Sequence, residues 1–271
     1  MNITCISDTH NQHNNIPSKY ITGGDCIIHS GDISGRGTRK EVEDFLMWFN
    51  ELPYKHKIFI AGNHDFFFEQ APEYEIEAVL AKYPNVIYLN DSGVEIDGIK
   101  IWGSPVQPWF YNWAFNRKGV EICKHWDLIP TDTDILVVHG PAKGYLDLTD
   151  TNVVTGCPYL LEKINELTNL QLFVFGHIHE AYGRVEHPNG CVFLNASVLN
   201  SKYIMSNLPH EIKINKKMKT KHITWIEVAI LISLLGYIIT RWNNIHVTVG
   251  DFFCLELLAM LFWYRYDNFK N

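Results

Sequence analysis

Five short segments of this chain are dense in carboxylate, imidazole and amide side chains. They are Asp8-Thr9-His10, Gly31-Asp32, Gly62-Asn63-His64-Asp65, His139-Gly140-Pro141 and Gly176-His177-Ile178-His179. Oxygen and imidazole donors of this kind suit divalent first-row metals such as Mn, Fe or Zn. No cysteine joins them, so they do not read as a structural zinc site. Asp8, His10, Asp32, Asn63, His139, His177 and His179 make seven candidate ligands, too many for one ion. If Asp32 bridges, each of two ions receives four protein groups and keeps open positions. Two ions roughly 3.5–4 Å apart form a clamp that activates water and stabilises the displaced oxygen. A lone Asp or His at the end of an element is ordinarily a turn residue or a cap. Five such segments, four with a glycine beside the ligand, are not explained that way. His13, His29, His56, His125, His187, His210, His222 and His246 lack this context and read as surface or satisfied core histidines.

The elements that must position these groups are legible as short apolar runs. Residues 3–7, 26–30, 57–61, 86–89, 99–102, 135–138, 172–175 and 192–194 have the length and β-branched content of buried strands. Helix-period segments lie between several of them. Over 41–52, Val42, Phe45, Leu46 and Phe49 share one face, and 73–83 and 158–167 behave similarly. Strands alternating with helices imply an α/β fold with mostly buried sheets, and two sheets flanked by helices accommodate this many strands. Each of the five segments follows a strand. Ligands of α/β sheets bind outside the carboxyl ends of strands, so the five would converge on one crevice.

Composition narrows the class. The 271 residues carry a formal net charge of -7, unevenly spread. Residues 213–271 hold eight Lys/Arg and four Asp/Glu, a net +4, while the other 212 hold 15 and 26, a net -11. An acidic body argues against long nucleic acid and fits cations and a small substrate. The six cysteines form no CxxC pair, and the expectation is buried free thiols in a reducing compartment. The first residues read as a core strand, so no secretory leader is expected.

The order D-x-H, G-D, G-N-H-[DE], H-G, G-H-x-H resembles the calcineurin-like metallophosphoesterase superfamily. Ile6-Ser7-Asp8-Thr9-His10, Asn50-Glu51-Leu52-Pro53-Tyr54, Pro108-Trp109-Phe110 with Trp113, and Asn195-Ala196-Ser197 most resemble its metallophosphoesterase-domain-containing (MPPED) subfamily, which is similar to class III cyclic nucleotide phosphodiesterases. The resemblance covers about residues 2–215. It implies a four-layer αββα sandwich. It also implies that Asp8, His10, Asp32 and His179 hold one metal, and Asp32, Asn63, His139 and His177 the other. His64 resembles the family's leaving-group acid, oriented by Asp65, where subfamily members usually have Glu. Some members replace the first His of G-H-x-H by Gly, which weakens catalysis; His177 is retained here. The implied reaction is attack of a metal-bridging hydroxide on phosphorus, with His64 protonating the leaving oxygen.

The ester is less constrained. Trp109, Phe110 and Trp113 belong to an aromatic stretch that could stack on a substrate ring or simply pack over the core. The resemblance favours a phosphodiester, with a cyclic nucleotide among the candidates; a phosphomonoester or protein phosphatase activity is the alternative, and a non-catalytic scaffold the third. Mn is the expected metal, with Fe, Zn or Mg as substitutes. Beyond the domain at 1–215, residues 216–271 form a basic linker and two apolar stretches. Residues 223–240 contain one charged residue, Glu227, and as a helix at 1.5 Å per residue would span about 27 Å. The expectation is a helical hairpin acting as membrane anchor, with the preceding lysines keeping the catalytic domain cytosolic. Glu227, Asp251 and Glu256 favour the other reading, a hairpin packed on protein. Without an anchor the protein would be cytoplasmic. The oligomeric state is not legible.

Overall fold

A computed structural model describes residues 1–215. The expected anchor at 216–271 lies outside them, and among the described residues no helix is long and apolar enough to cross a membrane.

In chain order the elements are β1 (Asn2–Ile6), β2 (Gly24–His29), α1 (Arg39–Glu51), β3 (Tyr54–Phe59), α2 (Phe66–Gln70), α3 (Glu73–Leu80), β4 (Val86–Tyr88), β5 (Ser92–Ile96), β6 (Ile99–Ser104), β7 (Gln107–Pro108), β8 (Asn116–Arg117), α4 (Glu121–Trp126), β9 (Ile135–Val138), α5 (Pro158–Glu166), β10 (Leu172–Phe175), β11 (Gly183–Glu186), β12 (Val192–Asn195) and β13 (His210–Lys213). They build a five-stranded sheet, β13-β1-β2-β3-β4, and a six-stranded sheet, β11-β12-β10-β9-β6-β5, with a small β7-β8 pair beside them. The inner strands of both sheets are parallel, and β13, β11 and β5 close the edges antiparallel.

Alternating side chains divide the core into three. Ile3, Cys5, Ile28 and Ile58 of the first sheet meet Ile101, Val137, Val174 and Leu194 of the second. On its other face the first sheet carries Ile27 and Phe59 against α1 and α2. The second carries Phe173, Phe175 and Phe193 against α4 and α5. The layers therefore run helix, sheet, sheet, helix. Helix α1 shows why its residues choose this place. Thr38 accepts from the Glu41 amide (3.3 Å), and the Glu41 carboxylate accepts from the Thr38 amide (2.9 Å), closing a capping box. Its buried face is the expected set Val42, Phe45, Leu46 and Phe49. Burying those four side chains is worth roughly 8 kcal/mol.

All eight expected strands are present. The additional ones, β5, β11 and β13, are edge strands in which half-buried residues alternate with exposed ones, with Ile96 at the end of β5 buried. They lack the continuous apolar run by which a strand buried on both faces is recognised. The two-residue β7 and β8 and the short helices α2 and α4 fall below the length at which periodicity speaks. Five described cysteines are free thiols; Cys254 lies outside the described residues.

Parallel order puts the carboxyl ends of β1, β2 and β3 at one end of the first sheet, and those of β9, β10 and β12 at one end of the second. A single parallel bridge, Ser7 with Ser197, ties the two sheets together there.

Candidate metal centre

The loops after β1, β2, β3, β9 and β10 bring the expected groups together. Among the described residues three clusters have donor atoms within 4.8 Å of one another: Asp8, His10 and His179; His10, Asp32 and His64; and Asp8, Asp32 and His139. Asp32 lies between the two halves, with its Oδ2 3.6 Å from His10 Nε2 and 3.4 Å from His139 Nε2. His179 Nε2 lies 3.4 Å from Asp8 Oδ1, and Asn63 Oδ1 lies 2.9 Å from His139 Nε2. His177 stands beside His139, ring centroids 5.1 Å apart, but is not part of the three tight clusters. Six of the seven candidates are buried, and His177 is half-buried.

The backbone explains how such short loops aim so many groups inward. Asp8, His10, Asp32 and His177 all adopt positive φ, at 54°, 41°, 55° and 69°. Left-handed backbone is uncommon for non-glycine residues and concentrates at functional sites. Two glycines serve a different need. A Cβ on Gly62 would collide with Asp32, and one on Gly176 with the carboxylate of Asp8. Both positions are empty so that ligand carboxylates can lie against the backbone.

A ring of main-chain acceptors fixes the imidazoles. The Nδ1 atoms of His10, His139, His179 and His64 bond to the carbonyls of Ser34 (3.2 Å), Ser30 (3.0 Å), Asn200 (3.1 Å) and Gly35 (2.8 Å). With Nδ1–H donating, each Nε2 is left as a lone pair facing the crevice, the tautomer a metal requires. The Asp8 carboxylate is held by the Ser197 hydroxyl (2.5 Å) and the His177 amide (3.0 Å), and Asp32 Oδ1 accepts from the His64 amide (2.8 Å).

Acceptors then face acceptors: His10 Nε2 and His179 Nε2, His139 Nε2 and Asn63 Oδ1. Cations resolve this arrangement, so the residues fit two metal ions. The titration behaviour agrees. Burial opposes charge on His139, but the carboxylate of Asp32, then that of Asp8, outweigh it and hold the imidazole up at about 9. His179 is raised as well: burial is outweighed by its bond to Asp8 and by that carboxylate's charge. Burial likewise pushes Asp8 and Asp32 up, yet the neighbouring histidines bring both below the usual carboxylate range. Burial prevails at the other two imidazoles and pushes His10 down to about 4 and His177 down to about 3.

Asp65 corrects an expectation. It does not orient the His64 ring, which Gly35 holds. Its carboxylate points into the loops, accepting from the amides of Ile33 (3.2 Å), Ser34 (2.9 Å) and Gly62 (2.7 Å) and from the Ser34 hydroxyl (2.5 Å). Asp65 thus supports the turn that carries Asp32 and Gly35, one step behind His64. The aromatic stretch divides as well. Trp113 lies against His64 (centroids 4.3 Å) and Phe110 against His177 (5.0 Å), both on the site. Trp109 instead takes Lys118 over its ring (3.8 Å) and lines a separate cavity of about 240 Å³ with Pro158 and Tyr159.

Ser197, Asn200 and Tyr203 escaped assignment from the sequence. Ser197 follows the end of β12, the same placement that marks the other site groups. Asn200 and Tyr203 lie further along that loop and carry no such signal. Tyr203 packs on both His10 and His179, with centroids 5.0 Å apart in each case.

Known proteins resemble this chain. Residues 1–181 match the family model described as Calcineurin-like phosphoesterase. Metallophosphoesterase domain-containing protein 1 of Homo sapiens is 40% identical over 227 residues, covering 76% of this chain and 68% of that protein. UPF0046 protein K07C11.7 of Caenorhabditis elegans is 31% identical over 227 residues, covering 80% of this chain and 76% of that protein. Among solved structures, TT1561 of Thermus thermophilus shares the fold at a TM-score of 0.52 and 14% identity, over 72% of this chain and 88% of that one.

Proposed function

Since this chain belongs to the calcineurin-like phosphoesterase family, and so is a metal-dependent phosphoester hydrolase, we propose that it cleaves phosphodiesters, cyclic nucleotides among them, with His64 as the acid for the leaving group. The observation that carries the reading is the position of Asp32 between two groups of donors, Asp8, His10 and His179 on one side and Asn63 and His139, with His177 beside them, on the other. Two divalent ions held there supply Lewis acidity and an activated water; Mn is the proposed occupant of both positions.

The chain's own groups do the rest. The carboxylates of Asp8 and Asp32 stay ionised and keep cations in place. His64 holds Nδ1 on the Gly35 carbonyl, which aims Nε2 into the crevice beside His10 and Asp32. A proton carried there passes to the departing alkoxide. The bond from the His64 amide to Asp32 fixes this acid relative to the shared ligand. Trp113 covers the other side of the His64 ring and limits water beside it. These aromatic surfaces support a substrate with an organic group on each side of phosphorus, hence a diester.

Hydrolysis of bis-p-nitrophenyl phosphate and of p-nitrophenyl phosphate, with Mn, Mg, Zn and Fe added in turn, tests this. Faster diester cleavage in Mn is expected. A preference for the monoester would overturn the diester assignment, and no metal-dependent turnover of either would overturn the function. For location, the sequence of 216–271 supports a membrane-tethered enzyme with its catalytic domain in the cytosol. Extraction with carbonate checks it, and release of the whole chain into the supernatant would refute the tether.

A further inference from the structure

A diester has two organic groups, and the acid at His64 accounts for one of them. From the ring of Trp113 the aromatic side chains continue in series: His64 lies 4.3 Å from Trp113, His10 lies 4.5 Å from His64, and Tyr203 lies 5.0 Å from His10. Tyr203 therefore stands at the far end of the row, over the Asp8–His10–His179 half of the site and away from the leaving-group acid. It is 48% exposed, so its outer face is open to a ligand while its inner edge rests on two ligand histidines.

The segment that presents Tyr203 is rigid. The Asn200 carboxamide oxygen accepts from the amides of Lys202 (2.9 Å) and Ile204 (3.1 Å), and the Asn200 carbonyl accepts from the Tyr203 amide (2.8 Å). That same carbonyl orients His179 (3.1 Å), and the Gln12 side chain bonds the Tyr203 carbonyl (3.1 Å). Tyr203 sits at φ 57°. A bulky aromatic in the left-handed region is a true outlier, and such strain gathers where a side chain must be aimed.

We propose that Tyr203 is a specificity-determining residue: its ring is the wall against which the retained ester group of the substrate lies, and it selects diesters whose retained group is planar and aromatic. This rests on the phosphodiester reading above. The physical basis is stacking of one flat surface on another in a site that already excludes part of the solvent. Preorganisation of the 200–204 turn means that little ordering cost is incurred on binding.

The test keeps the leaving group constant and varies only the retained one. The substrates are p-nitrophenyl phenyl phosphate and p-nitrophenyl methyl phosphate, both releasing p-nitrophenol, assayed on the full chain in Mn. The wild type is expected to prefer the phenyl ester about tenfold in kcat/KM, mainly through KM. Y203F should keep that preference. Y203A should lose it, as should Y203L, which retains apolar bulk without a flat ring; both should keep wild-type metal content. An undiminished phenyl preference in Y203A and Y203L overturns the proposal. So does equal loss in Y203F, which would place the effect in the hydroxyl, or loss of metal from Y203A and Y203L, which would make the ring only a support for His10 and His179. If the wild type cleaves neither diester, the phosphodiester reading fails by itself. Calorimetric binding of phenyl phosphate against methyl phosphate then still decides whether Tyr203 forms an aromatic wall, with the same three variants.

Discussion

The Nε2 atoms of His10 and His179 lie 3.3 Å apart, while the Nδ1 of each ring is bonded to a main-chain carbonyl. Two imidazoles so constrained cannot share that space as neutral acceptors; either a proton or a metal ion must stand between them. The same holds around His139, where Asp32 and Asn63 converge on one nitrogen.

Metal uptake should therefore release protons. His139 is held at about 9 in the metal-free chain, so it is protonated at pH 7 and must lose that proton to become a ligand. Calorimetry of Mn binding in buffers of different ionisation enthalpy should show about one proton or more released at pH 7, and progressively less above pH 9. Affinity should fall on acidification. Binding without proton release at pH 7 would contradict the assignment of His139 as a ligand.

Ser197→Ala removes the hydroxyl that bonds the buried carboxylate of Asp8 at 2.5 Å. Partners of ligands typically change metal affinity by roughly 10- to 100-fold. The expected result is a higher Mn requirement of that order, read as the activation midpoint, with kcat at saturating Mn little changed.

His64→Ala removes the proposed acid but no member of either ligand set. A rate loss of roughly 10²–10⁴-fold is expected, with two metals per chain retained by elemental analysis. The loss should shrink for esters of good leaving groups, such as p-nitrophenol, because these depart without a proton.

Asp65→Asn exchanges one acceptor oxygen for a donor among four groups that all donate to it. At least one buried N–H or O–H is left without a partner, at a cost of about 2–3 kcal/mol. Urea unfolding should register that loss. Stability within a few tenths of a kcal/mol of the wild type would show that the loop does not depend on this carboxylate.

His29 gives a second pH dependence, from a group that is not itself a ligand but holds the backbone beside Asp8, His10 and Asp32. Its Nδ1 accepts from the Gly31 amide (3.3 Å), and its Nε2 is paired with the Thr9 hydroxyl (3.0 Å), an arrangement that requires the neutral ring. Burial pushes this imidazole down to about 3. A depressed folded value contributes stability above the unfolded value, about 6.5, that is lost as pH falls toward 3. Chelator-treated protein should lose stability across that window, and His29→Gln should reduce the slope measured by urea midpoints at successive pH values.

Much of this site was legible because its residues obey one rule. Asp8, Asp32, Asn63, His139 and His177 each follow a strand that is buried on both faces, and such strands advertise themselves as continuous apolar runs. β11 and β13 were not legible, since a half-exposed edge strand differs little in composition from a loop. The role of Asp65 escaped for another reason. Its spacing beside His64 suggests contact, but the turn at 62–65 directs the two side chains to opposite sides, and no residue type announces that. Tyr203 was hidden because its importance arises from a left-handed backbone and a fold that returns position 203 to position 10. The separation of Trp109 from Trp113 likewise depends on the path of the β7–β8 pair.

The bridge between Ser7 and Ser197 marks a seam, and the ligands lie along it. Asp8, His10, Asp32 and Asn63 belong to one sheet and His139, His177 and His179 to the other, so each bound ion sutures the two halves of the domain. His10 and His179, neighbours in space, are 169 positions apart in the chain. Binding confined to the folded form stabilises it by about 1.4 kcal/mol for every tenfold excess of free metal over the dissociation constant. The lifetime of the protein is thereby coupled to metal supply. Metal scarcity would thus lower the stability of the fold as well as its activity.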